Sequence, residues 1–325
     1  MSAIKGARLL VTGGTGSFGT RFIKRLLADN EVAEVIVFSR DELKQFELHN
    51  ELKSSKVRYV LGDVRDFARI HQASQGIDII IHAAAMKQIP AAENNPMEAI
   101  KTNVLGAENV VRAAIENNVA KVVALSSDKA ANPANLYGAT KLCSDKLMIA
   151  GNFMQEKSPT KFSVVRYGNV LGSRGSVIPF FLEKAKEGRI PITDTRMTRF
   201  WLTLDHAVDL VMTAIRTMSG GEIYVPKIPS FKVIDVAKVV APNIPTFEIG
   251  IRPGEKLHEI MITEDDSQYT IRFEDHFRIV SPLKIDEYSE NKHVVNPGFS
   301  YRSDTNDQWF THESFLKLLK QSSLL

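Results

Sequence analysis

Cys143 is the only cysteine among 325 residues. That excludes an intrachain disulfide and most cysteine-based metal sites, and the residue reads as a small packed side chain on a helix. No apolar run approaches the ~20 residues of a membrane span. The N-terminus enters a strand without a signal-peptide pattern, so the chain reads as cytoplasmic, with no membrane partner. No run of Lys and Arg suggests a nucleic-acid groove. No His/Cys/Asp/Glu cluster has ligand spacing, so no metal is expected. The net charge of +3 is mild and suits an anionic small molecule. What remains is an ordinary globular composition, 44% hydrophobic and 24% charged, long enough for one large domain or two modest ones.

The first half alternates apolar strands with helical patterns. Strands are expected at Arg8–Thr12, Val35–Ser39, Val57–Gly62, Ile77–Ala83, Lys121–Ser126 and Phe162–Tyr167, and helices at 18–29, 41–53, 97–118 and 135–155. Continuous apolar strands separated by helices predict an α/β fold with a Rossmann-type, doubly wound parallel sheet. Beyond residue 168 the alternation breaks, and Ile223–Val225 and Phe247–Ile251 read as isolated strands. The expected division is a nucleotide-binding domain at 1–168 and a smaller mixed α/β lobe at 169–325, with some segments of the latter returning to the first domain.

Between the first strand and first helix lies Val11-Thr-Gly13-Gly-Thr15-Gly16-Ser17-Phe18-Gly19. Glycines at this spacing allow a tight turn and close approach of a pyrophosphate, which the helix N-terminus then faces. After the second strand come Ser39 and Arg40, with Lys44 on the next helix. A hydroxyl beside a guanidinium suits a 2′-phosphate, which favours NADP over NAD. Asp41 complicates that choice, unless it only starts the helix. Asp63-Val64 is placed for the adenine edge, and Ala83-Ala84 supplies small residues against the cofactor. His82 reads as a hydrogen-bonded histidine at a strand end.

The chemical end is Ser127-Asp128-Lys129 followed by Tyr137 and Lys141. A Tyr and a Lys four apart share one helix face. There Lys141 can lower the Tyr137 pKa and hold a nicotinamide ribose. Alcohol oxidation does not need Asp128 and Lys129, so a second reaction coupled to hydride transfer is suggested.

Together these motifs resemble the extended short-chain dehydrogenase/reductase family. Tyr137, Lys141, Ser127 and Asn103 match its catalytic Tyr and Lys, its Ser after the fifth strand and its helix Asn. Within that family, Leu125 to Lys141 resembles the inverting, 5-epimerising UDP-N-acetylglucosamine 4,6-dehydratases that open pseudaminic acid synthesis. Ala85–Glu93, Arg166–Gly172, Arg252–Glu259 and Tyr301–Trp309 resemble the same subgroup. Two departures from other sugar-nucleotide dehydratases point the same way: Lys129 stands where Glu is usual, and the Ser127-to-Tyr137 gap is about half the ordinary one.

The resemblance implies that Tyr137 takes the C4 hydroxyl proton, Asp128 protonates the departing C6 hydroxyl and Lys129 is the C5 base. Lys129 can serve only if burial or neighbouring cations depress its pKa. Lys87, Asn169, Arg174, Arg199, Arg252 and Glu255 are candidates for the UDP-sugar, with Arg252 for the diphosphate and Glu255 for a ribose hydroxyl, and Lys87 and Asn103 are candidates for the cofactor as well. Family members commonly dimerise through the helices at 97–118 and 135–155, so a homo-oligomer, dimer or hexamer, is implied. A retaining 4,6-dehydratase, a UDP-sugar 4-epimerase and a non-catalytic NADP-binding regulator are the competing possibilities.

Overall fold

A computed structural model describes residues 4–325 apart from 155–157, 174–175, 283–284, 286–292 and 323. Six parallel strands follow the apolar runs closely: β1 (Arg8–Thr12), β2 (Glu34–Ser39), β3 (Val57–Leu61), β4 (Ile79–His82), β5 (Lys121–Ser127) and β6 (Lys161–Tyr167). They lie in the order β3-β2-β1-β4-β5-β6. Alternate residues of β1 feed opposite layers. Leu9 and Val11 pack with Phe22, Ile23 and Leu26 of the helix Ser17–Asp29. Leu10 packs with Val110 and Val111 of the helix Gly106–Glu116. Strand β1 pairs with both β2 and β4, so the chain leaves it in opposite directions and a crevice opens at the carboxyl ends.

The expectation of isolated strands after residue 168 needs one correction. Ile223–Pro226 pairs parallel to β6 inside the main sheet, His276–Ile279 pairs antiparallel to it, and Thr270–Arg272 pairs antiparallel to His276–Ile279 at the edge, giving nine strands. Tyr224 and Val225 are fully buried there; their surroundings, not their own short pattern, decide this. Thr246–Glu248 pairs with Ile190–Ile192 in a separate two-stranded ribbon. A third core, including Phe181, Trp201, Phe231 and Phe315, lies beside the main sheet and supports the far wall of the cleft.

Three local differences separate the structure from these expectations. The helical pattern at 97–118 is broken into Pro96–Ile100, a wide π turn at Lys101–Leu105 and Gly106–Glu116. A helix at Phe67–Ala73 was not anticipated; Asp66 caps it by accepting from the Arg69 backbone N–H at 3.1 Å. Cys143 is exposed on the helix Leu136–Ala150, not packed. Among the described residues no helix is long and apolar enough to cross a membrane, and no group of three His, Cys, Asp or Glu residues is placed to hold a metal ion.

Candidate active site

A cleft of about 480 Å³ follows the carboxyl ends of β1, β2, β4 and β5. Gly13, Thr15, Gly16, Ser17, Phe18 and Gly19 form one end, Ser39, Arg40, Lys44, Asp63 and Val64 a second wall, and Ala83, Ala84 and Lys87 the floor. Tyr137 and Lys141 close the far end. Gly13 has φ of +66°, and a Cβ there would lie 2.8 Å from the Ala84 nitrogen. The turn therefore accepts no side chain and leaves its backbone open to the cleft. A Gly-lined turn at a helix N-terminus, opening into a long crevice, fits a dinucleotide.

Asn103 does not line this cleft. It is buried on the π turn, where its amide oxygen accepts from Met86 N at 2.8 Å and its nitrogen donates to Met86 O and Thr140 Oγ1. The expectation that it contacts a cofactor is corrected: its side chain is occupied in shaping the loop after β4. Asp41 does start a helix, accepting from Lys44 N at 3.0 Å. Arg40 stays 62% exposed at the rim, 3.5 Å from Asp63. His82 is buried and hydrogen-bonds Thr12 at 2.8 Å, as a strand-end histidine should. Burial, with Lys141 nearby, lowers its pKa to about 3.

A second cavity of about 500 Å³ is lined by Lys129, Asn169, Arg199, Arg252, Glu255 and Glu259, with Phe180, Phe181 and Trp201 on its apolar side. Thus four of the residues expected to meet a UDP-sugar share one cavity, Lys87 faces the first cleft, and Arg174 lies outside the described residues. Asn169 Oδ1, Ser176 Oγ, Glu255 Oε2 and Glu259 Oε2 are buried around it without a hydrogen-bond partner. Unpaired buried acceptors are costly, and a ligand rich in hydroxyl and N–H donors would satisfy them.

The two cavities meet at Ser127–Lys129. The turn Asp128–Ala130 directly follows β5, and the helix Leu136–Ala150 begins over it. A Cβ on Gly138 would lie 2.3 Å from the Lys129 carbonyl. The short Ser127-to-Tyr137 connection thus requires glycine there and draws Tyr137 against the turn. Ser127 donates to Asp128 Oδ1 at 2.8 Å and accepts from Lys129 N at 3.2 Å. Lys129 Nζ lies 3.0 Å from Asp128 Oδ1 and 3.3 Å from Glu259 Oε1.

The electrostatics separate these groups. Asp128 is 1% exposed, and its Oδ2 has no partner. Burial, assisted by Glu259, raises its pKa against the pull of Lys129. Burial alone would lower the Lys129 pKa, but Asp128 and Glu259 more than offset it and hold the ammonium above the ordinary lysine range. The depressed pKa that Lys129 needs as a base is therefore not met in this arrangement. Burial raises the Tyr137 pKa, with Lys129 and Ser127 opposing. Lys141 Nζ donates to the Leu125 carbonyl at 2.6 Å, and Lys129 is the cation that most strongly opposes the rise of the Tyr137 pKa.

Residues 9–281 match the family described as polysaccharide biosynthesis protein. The chain belongs to that family. It is 50% identical over 328 residues to the UDP-N-acetylglucosamine 4,6-dehydratase (inverting) of Campylobacter jejuni subsp. jejuni serotype O:23/36 (strain 81-176), covering 98% of each. It is 43% identical over 280 residues to the UDP-glucose 4-epimerase of Rickettsia canadensis (strain McKiel), covering 83% of this chain and 82% of the relative. The X-ray structure of Pen from Bacillus thuringiensis superposes with a TM-score of 0.92 at 37% identity, covering 99% of both chains. The resemblance carried by the motifs is borne out over nearly the whole length.

For this polysaccharide biosynthesis family member, sequence reasoning missed Glu259 and Lys256. Both end up beside Lys129: Lys256 donates to the Ala131 carbonyl at 2.7 Å, and Glu259 is 2% exposed. The stretch Arg252–Glu259 was recognised as a motif, but a run of charged residues gives no local sign that its last member is buried.

Proposed function

We propose that the protein converts UDP-N-acetylglucosamine to a 4-keto-6-deoxy sugar with inversion at C5, using NADP and acting as a homo-oligomer in pseudaminic acid synthesis. The observation that carries this reading is the ion pair of buried Asp128 with Lys129, held by Ser127 at the junction of the two cavities, with Tyr137 lining the same cleft as Ser127. The 50% identity to the inverting relative supports it. Residues 1–168 would supply the cofactor cleft and catalytic groups, and 169–325 most of the sugar-nucleotide cavity. Met97 and Leu105, 57% and 47% exposed on the helices expected at an interface, support the oligomer.

The Gly13–Gly19 turn would hold the pyrophosphate, Arg40 and Lys44 a 2′-phosphate, and Tyr137 and Lys141 the nicotinamide ribose. A nicotinamide bound there supplies a hydride acceptor for C4 and a hydride donor for C6. Tyr137 takes the C4 hydroxyl proton, favoured by Lys129 and Ser127. The 3.0 Å contact between Lys129 and Asp128 lets the pair arm itself: one proton moving from Nζ to the carboxylate leaves an amine and a carboxylic acid. The amine then removes the C5 proton, whose C–H electrons form the C5–C6 double bond. As the C6–O bond breaks, Asp128 delivers its proton to the departing oxygen and water leaves. The pair is returned to ammonium and carboxylate.

The Rickettsia relative named UDP-glucose 4-epimerase keeps a second reading open. An epimerase needs Tyr137 and Lys141 but no C6 acid. The unpartnered Oδ2 of Asp128 and its raised pKa favour the dehydratase. Proton NMR of the reaction with UDP-N-acetylglucosamine in heavy water tests this. The expected product is a 6-deoxy-4-keto sugar with deuterium and inverted configuration at C5. A retained configuration in the earliest spectra would favour a retaining dehydratase. A C4 epimer without water loss would favour the epimerase.

A further inference from the structure

Glu259 has no assigned place in that chemistry, yet its position is unusual. It is 2% exposed, with Oε1 3.3 Å from Lys129 Nζ and 3.4 Å from Arg199 Nε. Its backbone is held from both directions: Ser303 Oγ accepts from Glu259 N at 2.9 Å, and Ser303 N donates to Glu259 O at 2.9 Å. Its second oxygen is buried without a partner. The group is therefore fixed, and it borders the same cavity as Lys129.

The charges facing this point are Lys129, Arg199 and Lys256 as cations and Asp128 and Glu259 as anions, with Tyr137 next to the pair. Removing Glu259 would leave three cations facing one buried carboxylate. Such an excess drives protons off the groups that can lose them. Arg199 stays charged under any working condition, so the change falls mainly on Asp128 and Lys129.

We infer that Glu259 is a positioning residue: its carboxylate fixes Lys129 and sets the proton count of the Asp128–Lys129 pair, keeping one proton available for transfer to the C6 oxygen. This rests on the dehydratase reading for its catalytic meaning, though not for its physical content. The two carboxylates are pushed apart. Burial raises both, but the cations Lys129, Arg199 and Lys256 bring Glu259 below its ordinary value, whereas Asp128 remains raised. Opposed environments of this kind separate an acid from a permanent anion. Because the two protons of the pair interact, the useful quantity is the pair's protonation as a whole.

The test is Glu259→Gln, compared with the unaltered protein in two measurements. First, the Asp128 carboxyl carbon is followed by NMR in aspartate-labelled protein, assigned by its loss in Asp128→Asn. Its titration should move to lower pH by about one to three units in Glu259→Gln, the range for losing a close charge. Secondly, both limbs of the kcat/KM profile should move acidward, because loss of the anion eases departure of each proton. Glu259→Asp, which keeps the charge, should restore most of both.

An unmoved Asp128 titration would overturn the inference, as would a loss of activity equal at all pH values. If Glu259→Gln does not fold, Glu259→Ala carries the same test: an acidward shift of the Asp128 titration supports the inference and an unmoved one overturns it. The carboxyl titration needs no turnover. If the protein failed to dehydrate the sugar at all, the dehydratase reading would fall while the control of Asp128 by Glu259 could still be read.

Discussion

Asn135 ties the helix Leu136–Ala150 to the loop that carries Arg252 and Glu255 through Gly254. Its side-chain nitrogen donates to the Gly254 carbonyl at 2.8 Å, while its Oδ1 accepts from Gly138 N at 2.8 Å and caps Leu136–Ala150. One residue thus joins the wall expected to meet the diphosphate to the helix bearing Tyr137 and Lys141. Asn135→Ala should cost about 1 kcal/mol for the lost cap, lowering Tm by ~2 °C. The lost tether should raise the KM for the sugar nucleotide more than it lowers kcat. Thermal melts and steady-state kinetics check the two effects separately, and an unchanged KM would limit Asn135 to capping.

Asp128→Asn preserves the side-chain volume but removes the proton donor. Dehydration should fall by about 10²–10⁴-fold, the usual contribution of a positioned acid. Tyr137 and Lys141 are untouched, so oxidation at C4 should persist. Adding UDP-N-acetylglucosamine should therefore produce the absorbance of reduced nicotinamide without a 6-deoxy product. Full product formation would remove Asp128 from the C6 step.

Much of this arrangement was legible beforehand because it depends on local or strongly periodic features. The apolar runs ending at Thr12, Ser39 and Ser127 are strands buried on both faces, and burial on both faces leaves an uninterrupted apolar pattern. Gly13 is needed for a backbone reason that its own spacing expresses. Long-range relationships were not legible. Asn103 matches a family position, yet a chain read in one dimension does not reveal that Met86 and Thr140 occupy its amide. The charge on Lys129 depends on Glu259, 130 positions away, and Ile223–Pro226 joins the main sheet because β6 lies open beside it.

Arg40 offers a direct test of the cofactor. Asp41 is already held by Lys44 and the helix start, so it is poorly placed to receive a ribose 2′-hydroxyl. Arg40 remains mostly exposed at the rim of the cleft. Arg40→Ala should weaken NADP by about 10-fold, equivalent to ~1.4 kcal/mol, with little effect on NAD. Titration calorimetry with both dinucleotides decides it. Equal weakening of the two would mean that Arg40 does not recognise the 2′-phosphate.

His82 should make the fold sensitive to mild acid. It is buried against Thr12, and its pKa is lowered to about 3 by burial and then by Lys141. In the unfolded chain the imidazole titrates near 6.5. Between those values the unfolded state binds the extra proton, so unfolding becomes easier as pH falls. The contribution is fully present above about pH 6.5 and declines towards pH 3, with a limiting slope of about 1.4 kcal/mol per pH unit. Denaturant titrations across this window should give a shallower slope for His82→Gln than for the unaltered protein. His82→Gln should be less stable near neutral pH, where the fitted Thr12 contact is lost without compensation, and the difference should narrow with acidification. Parallel curves for the two proteins would show that His82 exchanges its proton within the folded state and does not govern acid stability.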